Sequence, residues 1–576
     1  MPLETPARIV RALADRGYNA DREAVTLLAN QPDPLAAIDS AVESAPDSAL
    51  VLSAEHVRTA IEGAGDGGYT TPREPTDTND SHSSPTDPNP SISTGTADTE
   101  PTHDGRRAPV ETKGSAAGGD GEPTPQSNTH GSAGASSTPD GSQGSVASAE
   151  QETTAPSPDG NSAAVSPPEG ATRADSTERD IEVSGDIAST GTGEYGDFVA
   201  TFRDRYEKLA SQLRGRVNHR PTDTIEQMSP GSDAGLIGLV SDIRSTASGH
   251  WLVELEDTTG TFPCLVMKDR EFADDVMTLL HDEVVAVEGT LADDGGILFV
   301  DTMHFPDIPR THSPSTADRP VEAALISDVH VGSEEFLADA WQRFADWLHT
   351  DEAQRVEYLL ICGDMVEGVG VYPGQDDELD IIDIYDQYET FSEHLKDVPG
   401  DMEIVMIPGN HDAVRLAEPQ PAFDEELRDI MTAHDATISA NPSTVTIEGV
   451  SVLMYHGVSL DEVIAELPEE EASYDRPHDA MEHLLRKRHV APQYGGNTRV
   501  APEAEDHLVI EEVPDIFHTG HVHKLGYGKY HNVLSINSSC WQAQTDFQKS
   551  VNLEPDVGYA PIVDLQTLDL TIRQFV

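Results

Sequence analysis

The sequence predicts a multidomain chain in which a five-stranded β-barrel precedes an α/β sandwich, with a small helical domain carried at the N-terminus on a disordered linker. Three observations predict it. Composition turns abruptly to Ser, Thr, Gly, Pro and Asp between residues 64 and 193. Five short apolar strands follow between 230 and 310, interrupted by one helical stretch after the third. Beyond residue 320, apolar strands end in polar clusters and alternate with helices, as in folds that place ligands at strand ends.

Charge sets the background. Of 576 residues, 104 are Asp or Glu and 36 are Lys or Arg, giving a formal net charge of −68. The acidic residues run through segments that also carry apolar periodicity, without a long block of like sign. That pattern resembles the adaptation of an extreme halophile rather than an acidic tail. At molar salt the Debye length is about 3 Å, so the charge does not exclude a nucleic-acid partner. Cys264, Cys362 and Cys540 are few, odd in number and far apart. They argue against a disulfide framework and fit buried thiols in a reducing cytoplasm. The N-terminus lacks a basic segment followed by an apolar one, and no run approaches about 18 apolar residues. A cytoplasmic chain with no membrane partner is expected.

Residues 1–63 carry Ile9, Leu13, Val25, Leu27 and Leu28 at helical spacing, with breaks at Gly17, Pro32 and Pro34, and are expected to form the helical domain. Residues 64–193 hold too little apolar surface to offset chain entropy and are expected to be disordered. Residues 194–225 carry Phe198, Phe202, Tyr206, Leu209 and Leu213 on one helical face, a connecting helix. Within 230–310 the strands LIGLVSDI, WLVELED, TFPCLVM, DEVVAVEGTL and GGILFVDTM, with the helix EFADDVMTLL between the third and fourth, have the order of an OB-fold barrel. Such barrels hold nucleic acid or a protein partner, and Trp251 and Phe262 are the candidate groove aromatics.

Within 320–576, five apolar strands each run into a polar cluster: Asp328-Val329-His330, Gly363-Asp364, Gly409-Asn410-His411-Asp412, His456-Gly457 and Gly520-His521-Val522-His523. On extended segments i and i+2 share a side, so Asp328 with His330, and His521 with His523, are expected to converge. Mixed N/O ligands suit Mn²⁺, Fe or Zn better than Ca²⁺ or Mg²⁺. His281, His304, His394 and His531 read as ordinary surface or core histidines.

The order D-x-H, GD, GNHD, H-G, GHxH resembles the calcineurin-like metallophosphoesterase superfamily, which includes the Mre11-type nucleases. The resemblance implies two divalent ions, Mn²⁺ or alternatively Mg²⁺. One would be held by Asp328, His330 and His523, the other by Asn410, His456 and His521, with Asp364 between them and His411 as the catalytic acid. The barrel ahead of this region, the tethered N-terminal domain, and the segments GVYPGQ (370–375) and DIYDQY (383–388) further resemble the small subunit of archaeal family D DNA polymerase. That resemblance implies a 3′–5′ proofreading exonuclease working with DNA and a large polymerase subunit. A free-standing repair nuclease, and a non-catalytic scaffold for the large subunit and a sliding clamp, are the rival expectations. For the clamp, Gln566–Leu570 lacks the aromatic pair of a binding peptide. The densest basic cluster, Arg486-Lys487-Arg488, reads either as the cationic end of a helix or as a DNA contact.

Overall fold

The structure, a computed structural model, describes residues 179–185, 187, 193, 195–372 and 374–576, with scattered positions in the first 63. Most of the helical domain expected over 1–63 and of the linker expected over 64–193 lies outside the described residues. In the first unit, Ala24, Leu28, Ile38 and Ala41 are buried in helical conformation. Asn19–Ala20 and Val51–Leu52 pair there as parallel strands.

The C-terminal end of the expected linker is not disordered. Strand β1 (Ile181–Ser184) is ordered and pairs within a sheet of the sandwich. Helix α1 (Tyr195–Leu213) follows. Its Tyr206, Leu209 and Leu213 pack with Ile237, Val284 and Ala286 on the outside of the barrel.

The barrel comprises β2 (Asp233–Ser245), β3 (Trp251–Glu256), β4 (Thr261–Val266), β5 (Val284–Leu291) and β6 (Leu298–His304), closed in the order β2-β3-β4-β6-β5. Alternate residues such as Leu236, Val240, Val253, Leu255, Cys264 and Val287 fill it. The helix expected between β4 and β5 is a single 3₁₀ turn, Asp274–Thr278, whose neighbourhood delivers Ala273, Val276 and Leu279 to the same core. Phe262 is only 3% exposed inside that core and Trp251 packs against it, so these two rings serve packing and not a groove.

The sandwich begins with β7 (Glu322–Ile326), α2 (Ala338–Leu348), β8 (Val356–Cys362), α3 (Ile384–Leu395), β9 (Glu403–Ile407) and β10 (Thr437–Ile438). It continues with β11 (Ser443–Ile447), β12 (Val450–Met454), α4 (Ser459–Glu466), α5 (Pro477–Lys487), β13 (Ile516–Thr519), β14 (Leu525–Tyr530), β15 (Val533–Ser538), α6 (Asp546–Ser550), β16 (Tyr559–Asp564) and β17 (Asp569–Gln574). One six-stranded sheet runs β10-β9-β8-β7-β16-β17 and the other β14-β15-β13-β12-β11-β1. In β8, Tyr358, Leu360 and Cys362 point into the core between the sheets, where they meet residues such as Val452, Met454 and Ile536. The alternate residues Leu359 and Ile361 lie under Trp341, Phe344, Tyr388 and Phe391 of α2 and α3. A strand buried on both faces reads as a continuous apolar run, and each such side chain contributes about 1.5–3 kcal/mol. Leu460, Val463, Leu484 and Leu485 of α4 and α5 cover the second sheet. All three cysteines are buried free thiols. Among the described residues no helix is long and apolar enough to cross a membrane.

The basic cluster at the end of α5 joins barrel to sandwich. Arg486 pairs with Asp275 at 2.9 Å and lies over the Phe305 ring, 3.8 Å from its centroid. Lys487, fully buried, reaches Glu283 at 3.1 Å and the Thr278 carbonyl at 2.7 Å. Arg488 donates to the carbonyls of Ile510 and Glu511. Arg486 and Lys487 stand in the last turn of α5, as the helix-end reading expects, but all three cations face protein partners, so the DNA-contact reading does not stand.

Candidate functional site

The site forms where β7, β8, β9, β12 and β13 stop. Asp328 and His330 converge as expected, but not by strand pleat. Asp328, His330, Asp364, His521 and His523 have φ of 53°, 56°, 51°, 71° and 54°, so the chain leaves β7, β8 and β13 through left-handed turns. Such conformations cost about 1–3 kcal/mol each and concentrate at functional sites. Gly409 is required here, because a Cβ on it would lie 2.2 Å from Oδ1 of Asp364.

Asp328, His330 and His523 form one cluster: Nε2 of His330 is 3.1 Å from Nε2 of His523, and Oδ1 of Asp328 lies 3.5 Å from His523 and 3.9 Å from His330. Asp364, His456 and His521 form a second. Its His456 Nε2 sits 3.1 Å from Oδ2 of Asp364 and 3.1 Å from Oδ1 of Asn410. The two histidines separated by one residue, His521 and His523, therefore go to different clusters, contrary to the strand argument. Oδ2 of Asp364 is also 3.9 Å from Nε2 of His330, so one carboxylate faces both groups. His281, His304, His394 and His531 belong to neither.

Several groups that hold this arrangement escape strand-end reasoning. Glu367, three residues past Asp364 in a loop, accepts from Nδ1 of His330 at 2.8 Å through its side chain. Its backbone carbonyl accepts from Nδ1 of His411 at 2.7 Å. With His330 and His411 it makes a third cluster. Asp461 on α4 bonds His521 at 3.1 Å, and Gln548 on α6 lies 2.8 Å from Nδ1 of His523. Asp412 accepts from the Gly409 amide and the Tyr388 hydroxyl, fixing the loop that carries Asn410 and His411. The GD-x-x-E spacing was the available signal for Glu367, but it is not a strand period.

The electrostatics are those of a buried cluster of opposite charges. Burial pushes the Asp364 carboxyl up, yet His456, His411 and His330 together hold it well below the usual carboxylate range. Burial disfavours the charged form of His456, but Asp364 and Asp328 overcome it and raise its pKa to about 10. His330 is likewise raised to about 9, against burial, by Glu367 and then Asp364 and Asp328. Asp412 is driven up to about 7 by burial and by the neighbouring Asp364. Among the described residues, the ion pairs of Asp328 and Asp364 are with histidines alone. The carboxylates and imidazoles thus form a donor set whose charge a divalent cation could replace.

Comparison with known proteins gives the lineage. Residues 323–525 match the family of DNA polymerase alpha/epsilon B subunits. The DNA polymerase II small subunit of Halobacterium salinarum is 59% identical over all of this chain and all of its own length. The proteins of that name from Archaeoglobus fulgidus and Methanothermobacter thermautotrophicus are 44% and 40% identical. They align with 64% and 68% of this chain and with 75% and 82% of their own. On this similarity, full-length in one case and over about two thirds of the chain in the others, the chain belongs to the DNA polymerase II small subunits, the small subunits of archaeal family D DNA polymerase.

Proposed function

We propose that the chain is the metal-dependent 3′–5′ exonuclease of its polymerase, trimming the primer end for a large catalytic subunit. In this reading the sandwich is a calcineurin-like metallophosphoesterase domain, and the closed barrel is an OB-fold module that docks DNA or the large subunit. The observation that carries it is Oδ2 of Asp364, 3.1 Å from His456 and 3.9 Å from His330, a single carboxylate oxygen shared by two ligand clusters. Two-metal hydrolytic sites need such a bridge between ions about 3.5–4 Å apart.

The donors suit two divalent cations with mixed N/O coordination, Mn²⁺ ahead of Mg²⁺. When bound, such ions supply Lewis acidity and a water nucleophile for phosphodiester hydrolysis. The chain does the rest. Nδ1 of His330 is held by Glu367 and Nδ1 of His456 by the Cys362 carbonyl at 2.9 Å, so in both rings the proton sits on Nδ1 and Nε2 turns inward as a donor atom. His411 donates from Nδ1 to Glu367, which leaves Nε2 to protonate the departing 3′-oxygen. A scaffold subunit has no use for this set of aligned imidazoles. Membership of a polymerase small-subunit family favours a polymerase-bound nuclease over a free-standing repair enzyme.

The test is Asp364→Ala in the full chain, in molar KCl. The expected result is loss of both ions, measured by elemental analysis after equilibration with Mn²⁺, and loss of 3′-end trimming of single-stranded DNA. Undiminished trimming by the variant, or by the native chain in EDTA, overturns the proposal.

A further inference from the structure

We infer that the Phe547 ring, stacked on Tyr372 at the rim of the candidate site, is a stacking platform for the terminal base of a single-stranded DNA end. The inference rests on the nuclease reading above.

Helix α6 is short but fixed. Thr545 and Gln548 form a reciprocal capping box, and Gln548, 7% exposed, turns its amide to His523 at 2.8 Å. The preceding residue faces the other way: Phe547 is 56% exposed. Its ring stacks on Tyr372 with centroids 5.9 Å apart and an interplanar angle of 29°. Tyr372 is itself tied down, its hydroxyl donating to Glu378 at 3.1 Å and approaching Glu367 at 3.3 Å. Its ring centroid is 6.3 Å from that of His411. The aromatic pair therefore spans from the residue that holds His523 to the proposed general acid. Val551, one turn beyond Phe547 and also 56% exposed, extends the apolar surface.

Single exposed apolar side chains are ordinary. A stacked pair, braced by the same residues that brace the candidate ligands, is not. Its surroundings select the occupant. The cation on α6, Lys549, is paired with Asp546 at 2.9 Å and flanked by Glu335 and Glu378, so carboxylates, not a phosphate, engage it on this side. A base presents an uncharged face, and stacking on an aromatic ring tolerates any sequence and survives high salt better than phosphate contacts do. The terminal base would lie on Phe547 while its phosphate reaches the ligand clusters. A paired base cannot do both, so frayed and mispaired ends are favoured.

The experiment uses the full chain with Mn²⁺ and single-stranded oligonucleotides whose 3′-terminal nucleotide is either base-bearing or abasic. The native chain is expected to prefer the base-bearing end by about tenfold in kcat/KM. Phe547→Ala should bring that ratio close to one, and Phe547→Trp should restore it. An unchanged ratio in Phe547→Ala overturns the platform while leaving the nuclease reading intact. A second measurement does not depend on catalysis: in EDTA, a 3′-terminal 5-iodouracil is photocross-linked and the adduct mapped by mass spectrometry. Adducts on Phe547 or Tyr372 support the platform even if no trimming is detected, in which case the nuclease reading alone fails. Adducts only elsewhere overturn it. So does burial of Phe547 by added large subunit without any base preference, which would make the patch a protein-docking surface.

Discussion

Nδ1 of His411 donates to the carbonyl oxygen of Glu367 at 2.7 Å, while the carboxylate of the same Glu367 holds Nδ1 of His330 at 2.8 Å. One residue thus orients the proposed acid through its backbone and a proposed ligand through its side chain. The two roles separate by mutation. His411→Ala is expected to keep both cations and lose about two to four orders of magnitude in rate. Glu367→Ala spares the backbone contact to His411 and is expected to weaken cation binding about 10–100-fold through His330. Elemental analysis alongside single-turnover trimming distinguishes them, and loss of cations in His411→Ala would make that residue a ligand instead.

A second prediction concerns the join between barrel and sandwich. Lys487 and Glu283 are both buried, 3.1 Å apart, and burial pushes the Glu283 carboxyl up while Lys487 opposes it. Lys487→Met leaves that carboxylate without its cation. The expected cost is about 3–5 kcal/mol, read from denaturant midpoints at fixed salt. Adding Glu283→Gln removes the orphaned charge yet keeps an acceptor for the Leu280 amide, which Glu283 holds at 2.9 Å. The double variant should recover most of the loss. If both variants are equally destabilised, lost packing and not the charge is responsible.

The ligand constellation was legible because each candidate follows an apolar run, and β-strands end where such runs end. The strand period alone did not give its pairing, although the resemblance to the metallophosphoesterases implied the grouping of His523 with Asp328 and His330 and of His521 with His456 that the geometry has. Whether His523 joins Asp328 or Asp364 depends on left-handed turns at His521 and His523, which a strand period does not encode. Glu367, Asp461 and Gln548 were hidden for a related reason: they sit in a loop or on helices, and only packing brings them to the histidines. The Arg486-Lys487-Arg488 cluster could be placed at a helix end, but not its partners: Asp275 and Glu283, which pair with Arg486 and Lys487, come from the barrel about 200 residues earlier in the chain. β1 was overlooked because four residues, Ile181-Glu182-Val183-Ser184, carry too little pattern to stand out from a Ser- and Thr-rich segment. Pairing with β11 decides its structure.

The third prediction is a pH dependence. His489 is buried, with Nδ1 accepting from the Ala491 amide at 3.0 Å and Nε2 donating to Asp506 at 3.1 Å, an arrangement that requires the neutral ring. Burial lowers its pKa, Arg205 lowers it further and Asp506 opposes them, leaving it at about 4. The folded pKa lies below the ordinary value near 6.5, so the unfolded chain binds the extra proton first. Stability from this group is complete above pH about 6.5 and is lost as pH falls toward about 4, by up to about 3 kcal/mol. Asp506, held low by Arg205 and His489 against burial, acts in the same direction at still lower pH. Unfolding free energies measured from pH 7 to 4.5 should fall with that slope, and His489→Gln should flatten it. An unaltered slope would assign the acid sensitivity to other groups.

The last prediction corrects the domain boundary that composition suggests. A cut at residue 193 removes no candidate ligand, yet it takes away β1, whose residues Ile181–Ser184 pair antiparallel with Thr444–Ile447 of β11. It also removes Arg179, which reaches Glu357 at 3.4 Å and Glu403 at 3.3 Å. The edge of β11 would then be bare, and an unpaired edge strand invites association with other chains. Ile181 and Val183, packed against the core between the sheets, would also be lost, at about 1–3 kcal/mol in total. A chain beginning at residue 176 should match the full chain in denaturant midpoint and remain monomeric on size exclusion in molar KCl. A chain beginning at residue 194 should keep trimming activity while unfolding earlier and self-associating. Equal midpoints and equal monomer fractions for the two would mean that β1 adds nothing to the sheet, and the boundary read from composition would stand.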